Sequence, residues 1–550
     1  MKKLIQTTVQ TALMVGAAVA PASAFQLTPI GTYSTGIFGQ SAAEIAAYDP
    51  ATQRLFVTNA ATSAIDVISI SDPTQPTLFS TISLSTYGAG ANSVAFKGGI
   101  LAAAVENVVK QDPGSVVFFN ADGTFLNSVT VGALPDMLTF TPDGTKVLVA
   151  NEGEPNDDYT VDPEGSVSII DIANGVLNAT VKTAGFTQFN NVPLDPSIRI
   201  FGPNATVAQD LEPEYITVSA DSTTAWVSLQ ENNAIGILNL MTGEFEQLVG
   251  LGFKDHSLPG NALDASDRDN AINITTYPNL FGMYQPDAIA SYTVNGKTYI
   301  VAANEGDARD YAGFAEEVRV NSLRLDPVAF PNAAALQRNA NLGRLTVTNT
   351  LGDTNGDGLF EELYVFGGRS FSILDENGKI IFDSGSEFER IIAERVPNFF
   401  NANNTVNDFD TRSDNKGPEP EGVAIGEVAG RILAFIGLER IGGIMLYDIT
   451  DPFEPFFIDY VNNRDFSVVF DSTRPTPAQL AAIGDLGVEG LLFIPAKDSP
   501  NGIDLLVTTN EVSGTTTIYT VAVPEPTTVL GVLLFGPIAV KLRRRQQVRG

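Results

Sequence analysis

Short strand-like runs, grouped in fours and separated by tight turns, return along this 550-residue chain, and such a repeat leaves few folds open. The clearest copy runs Pro135-Asp136-Met137-Leu138-Thr139-Phe140, turns at Thr141-Pro142-Asp143-Gly144, and returns through Thr145 to Ala150, delivering Asn151 and Glu152. After an acidic loop, Gly165 to Ile172 forms a third run, and Asn174-Gly175 turns it into a fourth. Pro-Asp-Gly and Asn-Gly supply the preset and positive φ angles that antiparallel turns need. Related copies start at Glu44, Ser93, Glu214, Asp287, near Phe360, Glu421 and Glu489, which makes eight starts. Units that bury one face on the next predict an all-β β-propeller. Seven blades are expected, with eight as the alternative, because the unit near Phe360 is the least regular. A β-sandwich also uses short strands and turns. The recurring order of acidic residue, strand, turn, and strand ending in Asn or Glu favours the propeller.

In an antiparallel meander the connections alternate between the two ends of the sheet. If Asp136 precedes the first strand, the second returns Asn151 and Glu152 beside it. The same parity pairs Asp287 with Asn304 and Glu305, Glu214 with Gln230 and Glu231, Glu421 with Glu439 and Arg440, and Glu489 with Asn510 and Glu511. The long insertions, about residues 181–211, 253–285, 386–416 and 461–486, join successive units and are expected on that same face, where long loops are often functional.

Charge then limits the chemistry. Asp and Glu number 64 against 32 Lys and Arg, a formal charge of -32. That excess repels nucleic acid and makes cations the natural partners. With no cysteine, thiolate chemistry and disulfides are excluded, and the one histidine, His256, reads as a surface loop residue. Carboxylates ringed around a mouth need counter-ions; Arg309, Arg440 and Arg54 could supply some, and oxygen-seeking cations the rest. Ca²⁺ is expected, with Mg²⁺ or Mn²⁺ as alternatives. Asp136, Glu152, Glu305, Glu421 and Glu489 are candidate ligands or catalytic bases. Two acidic segments, Asn151-Glu152-Gly153-Glu154-Pro155-Asn156-Asp157 and Asn304-Glu305-Gly306-Asp307-Ala308-Arg309-Asp310, share an Asn-Glu-Gly opening. They nominate Asn151, Glu154, Asp157, Asn304, Asp307 and Asp310 as metal ligands. A third candidate, Asp353-Thr354-Asn355-Gly356-Asp357-Gly358, alternates ligands with glycine at the sixth place, as a Ca²⁺ loop does, with Glu361 nearby to close the shell. Tyr364 stands where an EF-hand has its twelfth-position Glu, so the loop is not a complete EF-hand.

The ends read differently from the middle. Lys2 and Lys3, an apolar run around Ala12 to Ala20, and Ala22-Ser23-Ala24 make residues 1–24 an expected signal peptide, leaving a propeller domain over 25–522. Residues 523–550 combine Pro524-Glu525-Pro526, an apolar stretch from Thr527 to Val540, and Lys541, Arg543, Arg544 and Arg545. This order resembles the PEP-CTERM sorting signal of Gram-negative bacteria, cyanobacteria included. It implies an exported surface protein, anchored transiently through a C-terminal membrane helix and processed by an exosortase-type enzyme. As a helix, fourteen residues span only about 21 Å, short for a bilayer core of about 30 Å.

The body of the chain resembles the choice-of-anchor I family of bacterial surface proteins. The resemblance is carried by Gly31-Thr32-Tyr33, Ser41 to Ile45, Leu134-Pro135-Asp136, Ala150 to Pro155, and Gly417-Pro418-Glu419-Pro420-Glu421-Gly422. Gly417 to Val423 and Val488-Glu489-Gly490-Leu491 also look like the Glu-Gly-hydrophobic motif of phytase-like propellers. The first reading of function is a Ca²⁺-stabilised module that binds an envelope or matrix component; the alternative, which labels carried by members of the family imply, is a metal-dependent phosphoesterase of the alkaline phosphatase or phytase type. Against the second stands the lack of a Lys/Arg cluster and of a firm nucleophile in the sequence.

Overall fold

The computed structural model describes residues 25–523, apart from residues 471 and 474. The expected leader and almost all of the expected sorting segment lie outside the described residues. Among the described residues, no helix is long and apolar enough to cross a membrane.

Seven four-stranded antiparallel sheets carry the fold. The first comprises Ala46–Asp49, Arg54–Asn59, Ala64–Ser69 and Thr77–Ser83; the second Ala91–Lys97, Ile100–Val105, Pro113–Asn120 and Phe125–Ala133. The third holds Pro135–Phe140, Lys146–Asn151, Ser166–Asp171 and Thr180–Gly185; the fourth Pro213–Val218, Thr224–Leu229, Ala234–Asn239 and Glu244–Gly250. The fifth pairs Ile289–Val294 with Lys297–Asn304, then Ser370–Asp375 and Ile380–Asp383. The sixth runs Pro420–Val428, Arg431–Leu438, Ile444–Asp448 and Phe456–Val461. The seventh joins Val488–Ile494, Leu505–Asn510 and Thr515–Ala522 to the first strand of the chain, Gln26–Ser34.

Burial explains the composition of these strands. Lys146–Asn151 and Leu505–Asn510 are apolar or buried almost throughout, because neighbouring sheets cover both of their faces. Outer strands such as Thr77–Ser83 are largely exposed and rich in Ser and Thr. An apolar layer fills each gap between sheets. Ala102, Ala104, Val116 and Phe118 meet Val147, Val149 and Ile170 between the second and third. Ala43, Leu55 and Val57 meet Leu505, Val507 and Ile518 between the first and the last. The ring of packed sheets thus closes on itself, and the fold is a β-propeller. Closure relies on Gln26–Ser34, which pairs with Thr515–Ala522, while Phe25 and Leu27 pack with Phe435 and Tyr519. It removes the open sheet edge that a linear array would leave.

The eighth start, near Phe360, opens no four-stranded sheet. Leu363–Val365 instead runs parallel to Leu280–Met283 in a small side sheet with Phe253–Asp255. Residues 305–369 are an insertion between the second and third strands of the fifth sheet, so Asn304 finds its ladder partner only at Ser370. This insertion, and those joining the third sheet to the fourth, the fourth to the fifth, the fifth to the sixth and the sixth to the seventh, leave the sheets at one end, as strand parity requires.

Candidate functional site

At that end one polar residue stands in, or just ahead of, each first strand: Glu44, Asn92, Asp136, Glu214, Asp287, Glu421 and Glu489. The local cause is repeated. Proline precedes the acid at 135, 213, 286 and 420. Ladder register shifts at Pro135/Leu138, Pro213/Ile216, Pro420/Val423 and Val488/Gly490. Proline donates no ladder hydrogen bond and is tolerated at strand starts and bulges, and a bulge turns the next side chain off the sheet, here into the central channel. A second layer stands at the ends of the second strands: Glu106, Glu152, Glu305, Glu439 and Glu511 follow Val105, Asn151, Asn304, Leu438 and Asn510.

Two triads join the layers, and a third joins Glu305 and Glu439 of the second layer to Glu419, just ahead of the sixth sheet. Ligand oxygens lie within 4.8 Å of one another in Glu44–Glu489–Glu511, in Asp136–Glu152–Glu214 and in Glu305–Glu419–Glu439. All five candidate bases read from the sequence stand in this double ring. Of the first layer, Glu44, Asp136, Glu214, Asp287, Glu421 and Glu489 make no ion pair among the described residues. The Oε2 atoms of Glu421 and Glu489 are buried and have no hydrogen-bond partner at all.

Electrostatics follow from that crowding. Burial, and then the charges of Glu511 and Asp136, push Glu44 up to about 8. Burial and the neighbouring Glu154 take Asp136 to about 7. Burial, with the surrounding carboxylates, holds Glu152, Glu214, Asp287, Glu421 and Glu489 well above the usual carboxylate range. Glu419 is the exception. Burial alone would raise it, but Lys416, Arg412 and Arg440 outweigh burial and hold it down at about 2. Arg412 Nε donates to its Oε1 at 2.9 Å, Arg440 Nε to its Oε2 at 2.9 Å, and Lys416 Nζ stands 3.3 Å away. Its backbone has φ of 52°, a left-handed conformation that a glutamate adopts at a cost of order 1–3 kcal/mol and that these three cations hold in place. Lys416 also pairs with Glu305 at 2.8 Å. Of this cluster the sequence pointed to Arg440 alone; Arg412 and Lys416 sit in the loop before the sixth sheet, away from any repeated position.

The other candidates fall in different places. Asn151 and Asn304 are buried inside their own sheets, not aimed at the mouth. Asn151 Nδ2 donates to Ser166 O and Ser168 Oγ while its Oδ1 accepts from Gly132 N, and Asn304 Nδ2 donates to Ser370 Oγ and Ser372 Oγ. Both amide nitrogens hold neighbouring strands, and the Asn151 Oδ1 does so as well. Glu154 lines the mouth, 3.9 Å from Lys110. Asp307 reaches Lys416 at 3.7 Å from an exposed position, whereas Asp157 and Asp310 are exposed beyond the ring. Asp353, Asn355, Asp357 and Glu361 do gather in one exposed turn. There Asp353 accepts from the amides of Gly356, Asp357 and Gly358, and Glu361 accepts from Thr354 and Asn355.

Two of the expected counter-ions also move. Arg54 lies at the opposite end of the first sheet, 3.4 Å from Asp122 and over the Phe79 ring. Arg309 is buried against Asp210 and Glu212, and its guanidinium lies 4.5 Å from the Phe201 ring centroid, with that of Arg199 at 3.9 Å. His256 is not on the surface: it is 1% exposed, with Nδ1 2.6 Å from Asn261 O. Burial, Lys254 and Arg369 push it down to about 3, so it stands neutral, and it lines none of the ring cavities.

A family model described as the choice-of-anchor I domain matches residues 44–452, which contain six of the seven first-layer positions. The chain belongs to the choice-of-anchor I family. Its curated relatives include gigasin-3a of Magallana gigas, 33% identical over 191 residues, or 34% of this chain and 66% of that protein. Another is the mesenchyme-specific cell surface glycoprotein of Strongylocentrotus purpuratus, 31% identical over 312 residues, or 50% of this chain and 40% of that protein. The choice-of-anchor I chain therefore matches about two thirds or less of each relative's length. Among solved structures it is similar to Kuenenia stuttgartiensis hydrazine synthase, at TM-score 0.45 and 12% identity, with 89% of this chain and 99% of that one covered. It is likewise similar to a streptogramin B lyase, at TM-score 0.43 and 11% identity, with 90% and 98% covered.

Proposed function

We propose that this choice-of-anchor I protein is an exported, surface-associated binding module, a seven-bladed propeller whose acid-lined mouth holds hard divalent cations, Ca²⁺ first among them. Each four-stranded sheet is then one blade. The observation that carries the reading is the double carboxylate ring, with three triads of converging oxygens and a first layer that has no cationic side chain paired to it. An oxygen-only donor set fits Ca²⁺, Mg²⁺ or Mn²⁺ and does not suit Zn²⁺ or Cu²⁺. Glu44, Glu489 and Glu511 would hold one ion, Asp136, Glu152 and Glu214 a second. A bound cation would supply charge neutralisation and a rigid mouth against which the long loops present a partner surface, such as an envelope or matrix component. The name of the Strongylocentrotus purpuratus relative, a cell surface glycoprotein, supports the extracellular part of this reading. Export through residues 1–24 and exosortase-type processing, with transient anchoring through residues 523–550, belong to the same proposal.

The test is calorimetric titration of Ca²⁺ into the chelator-stripped full chain. Saturable binding is expected, with Glu489→Gln and Glu152→Gln each removing one class of site. Unchanged binding in both variants would refute the assignment. A second reading, a metal-dependent phosphoesterase, gains from the cationic cluster of Lys416, Arg412 and Arg440 beside the third triad, the kind of group that binds phosphate. Hydrolysis of a phosphomonoester or phytate, lost with chelator, restored by Ca²⁺, Mg²⁺ or Mn²⁺, and abolished in Glu305→Gln, would establish that reading in place of the first.

A further inference from the structure

A second group of buried oxygens lies away from the ring, in the long loop that leads from the fifth sheet to the sixth. Asp410 N donates to Phe400 O at 2.7 Å and Arg412 N to Asn401 O at 2.9 Å, which closes the base of a turn over residues 402–409. The side chains at that base meet on Ser413, whose Oγ accepts from Asn401 Nδ2 at 2.9 Å and donates to Asp410 Oδ1 at 2.5 Å. Asn401 Nδ2 also donates to Glu389 Oε1 at 3.0 Å, and that carboxylate fixes which end of the amide is the nitrogen. Asn401 Oδ1 and Asp410 Oδ2 are left over. Their residues are 0% and 2% exposed, and neither oxygen has a hydrogen-bond partner. Thr411 Oγ1 and Asn415 Oδ1, in the same segment, are buried and unpartnered too.

The surrounding donors are already engaged. Ser413 has spent its hydroxyl hydrogen on Asp410 Oδ1, and Arg369 donates to Glu389 Oε1 and to the carbonyls of Asp264, Ser413 and Asn415. Asp410 makes no ion pair among the described residues. Burial pushes its carboxyl up to about 8 against the pull of the Ser413 hydroxyl, and Asp264, Asp269 and Glu389 add to the rise. We infer that this loop holds one Ca²⁺ ion, bound between Asp410 Oδ2 and Asn401 Oδ1, with Thr411, Asn415 and water as the remaining oxygen donors. A water alone would leave a buried carboxylate charge uncompensated. A hard cation supplies that charge and takes neutral amide and hydroxyl oxygens as well, and Ca²⁺ accepts about 6–8 such ligands in flexible geometry. The ion would pin the turn whose base it closes. From that turn Asn404 Nδ2 reaches Glu439 Oε1 at the mouth at 2.9 Å, and Asn407 Nδ2 reaches Phe466 O in the next insertion at 2.9 Å. The site shares no residue with the three triads and does not rest on their holding metal.

Hydrogen exchange of the full chain, read by mass spectrometry in EDTA and again in millimolar Ca²⁺, tests this. Peptides covering residues 400–413, which include the amides of Asp410 and Arg412, should exchange about tenfold more slowly with Ca²⁺. The same slowing should appear in a variant carrying both Glu152→Gln and Glu489→Gln. Asp410→Asn, which keeps the shape and removes the charge, should exchange alike in the two media; the wild-type comparison decides by itself if that variant does not fold. No effect of Ca²⁺ on this segment in the wild type would overturn the inference and leave a protonated Asp410 in place of the ion. An effect that persists in Asp410→Asn, or that vanishes with the two triad substitutions, would also overturn it, by placing the ion elsewhere. Slowing here with Ca²⁺ titration of the triads absent would uphold this site and count against the triads alone.

Discussion

Raising the pH of the metal-free protein from 5 to 8 should destabilise it, and Ca²⁺ should erase the effect. Asp136 shows why. Its pKa rises from 3.8 to about 7 on folding, chiefly through burial and then through Glu154. Below 3.8 both states carry the proton and nothing is lost. Between 3.8 and 7 the folded chain holds a proton that the unfolded chain has released, so stability falls with each step of pH. The full loss is about 4 kcal/mol, of which about 3 kcal/mol falls above pH 5. Glu44, pushed up to about 8, moves the same way. The contributions overlap, because each carboxylate is raised partly by its neighbours. Unfolding entropy of about 2.1 cal/mol/K per residue gives about 1 kcal/mol/K for a domain of this size, so Asp136 alone should lower Tm by about 3 °C. Glu419, held down at about 2, contributes stability that is fully present across this window and does not disturb the trend. Scanning calorimetry from pH 5 to 8 in EDTA, repeated with millimolar Ca²⁺, is the assay. A Tm that is flat or rising with pH in EDTA, or a Ca²⁺ shift equal at both ends of the range, would refute the crowded-carboxylate reasoning.

Three further outcomes are expected. Arg309→Met strands the buried carboxylates of Asp210 and Glu212 without their cation, which should cost about 3–5 kcal/mol and lower Tm by a similar number of degrees; an unchanged melt would show that pairing to be incidental. His256, pushed down to about 3, should remain neutral in NMR titration from pH 8 to 5; its contribution to stability, present above 6.5, is lost progressively as pH falls from 6.5 toward its folded value, opposite in sign to that of Asp136 and Glu44. Deleting residues 26–34 removes the strand that closes the seventh sheet and bares Thr515–Ala522, so size-exclusion chromatography should show dimers or aggregates; a well-behaved monomer would mean that closure does not rest on this strand.

Much of this was legible in the residues. Pro-Asp-Gly and Asn-Gly turns at fixed distances, with strands ending in Asn or Glu, lead to four-stranded sheets because turn chemistry and side-chain period are local properties. Strand parity then brings Asp136 beside Glu152 and Glu489 beside Glu511 without knowledge of the tertiary packing. The start near Phe360 misled for a physical reason. Its apolar run matches a strand, but its partner is Leu280–Met283 in a side sheet, and a pairing across an insertion leaves no mark on local pattern. Nor does local pattern show the bonds that Asn151 and Asn304 make, their amide nitrogens donating to the serines of the next strand.

The sequence by itself determined the class of fold, the shared face of the acidic residues and the oxygen-only chemistry they offer, because these depend on period, parity and composition. Only the tertiary structure decided which carboxylates meet across sheets as triads, that Arg54 lies at the far end while Lys416, Arg412 and Arg440 gather on Glu419, and that His256 is buried. Those facts depend on the closure of the ring and the folding of long insertions over it, which bring together residues hundreds of positions apart where no local rule reaches.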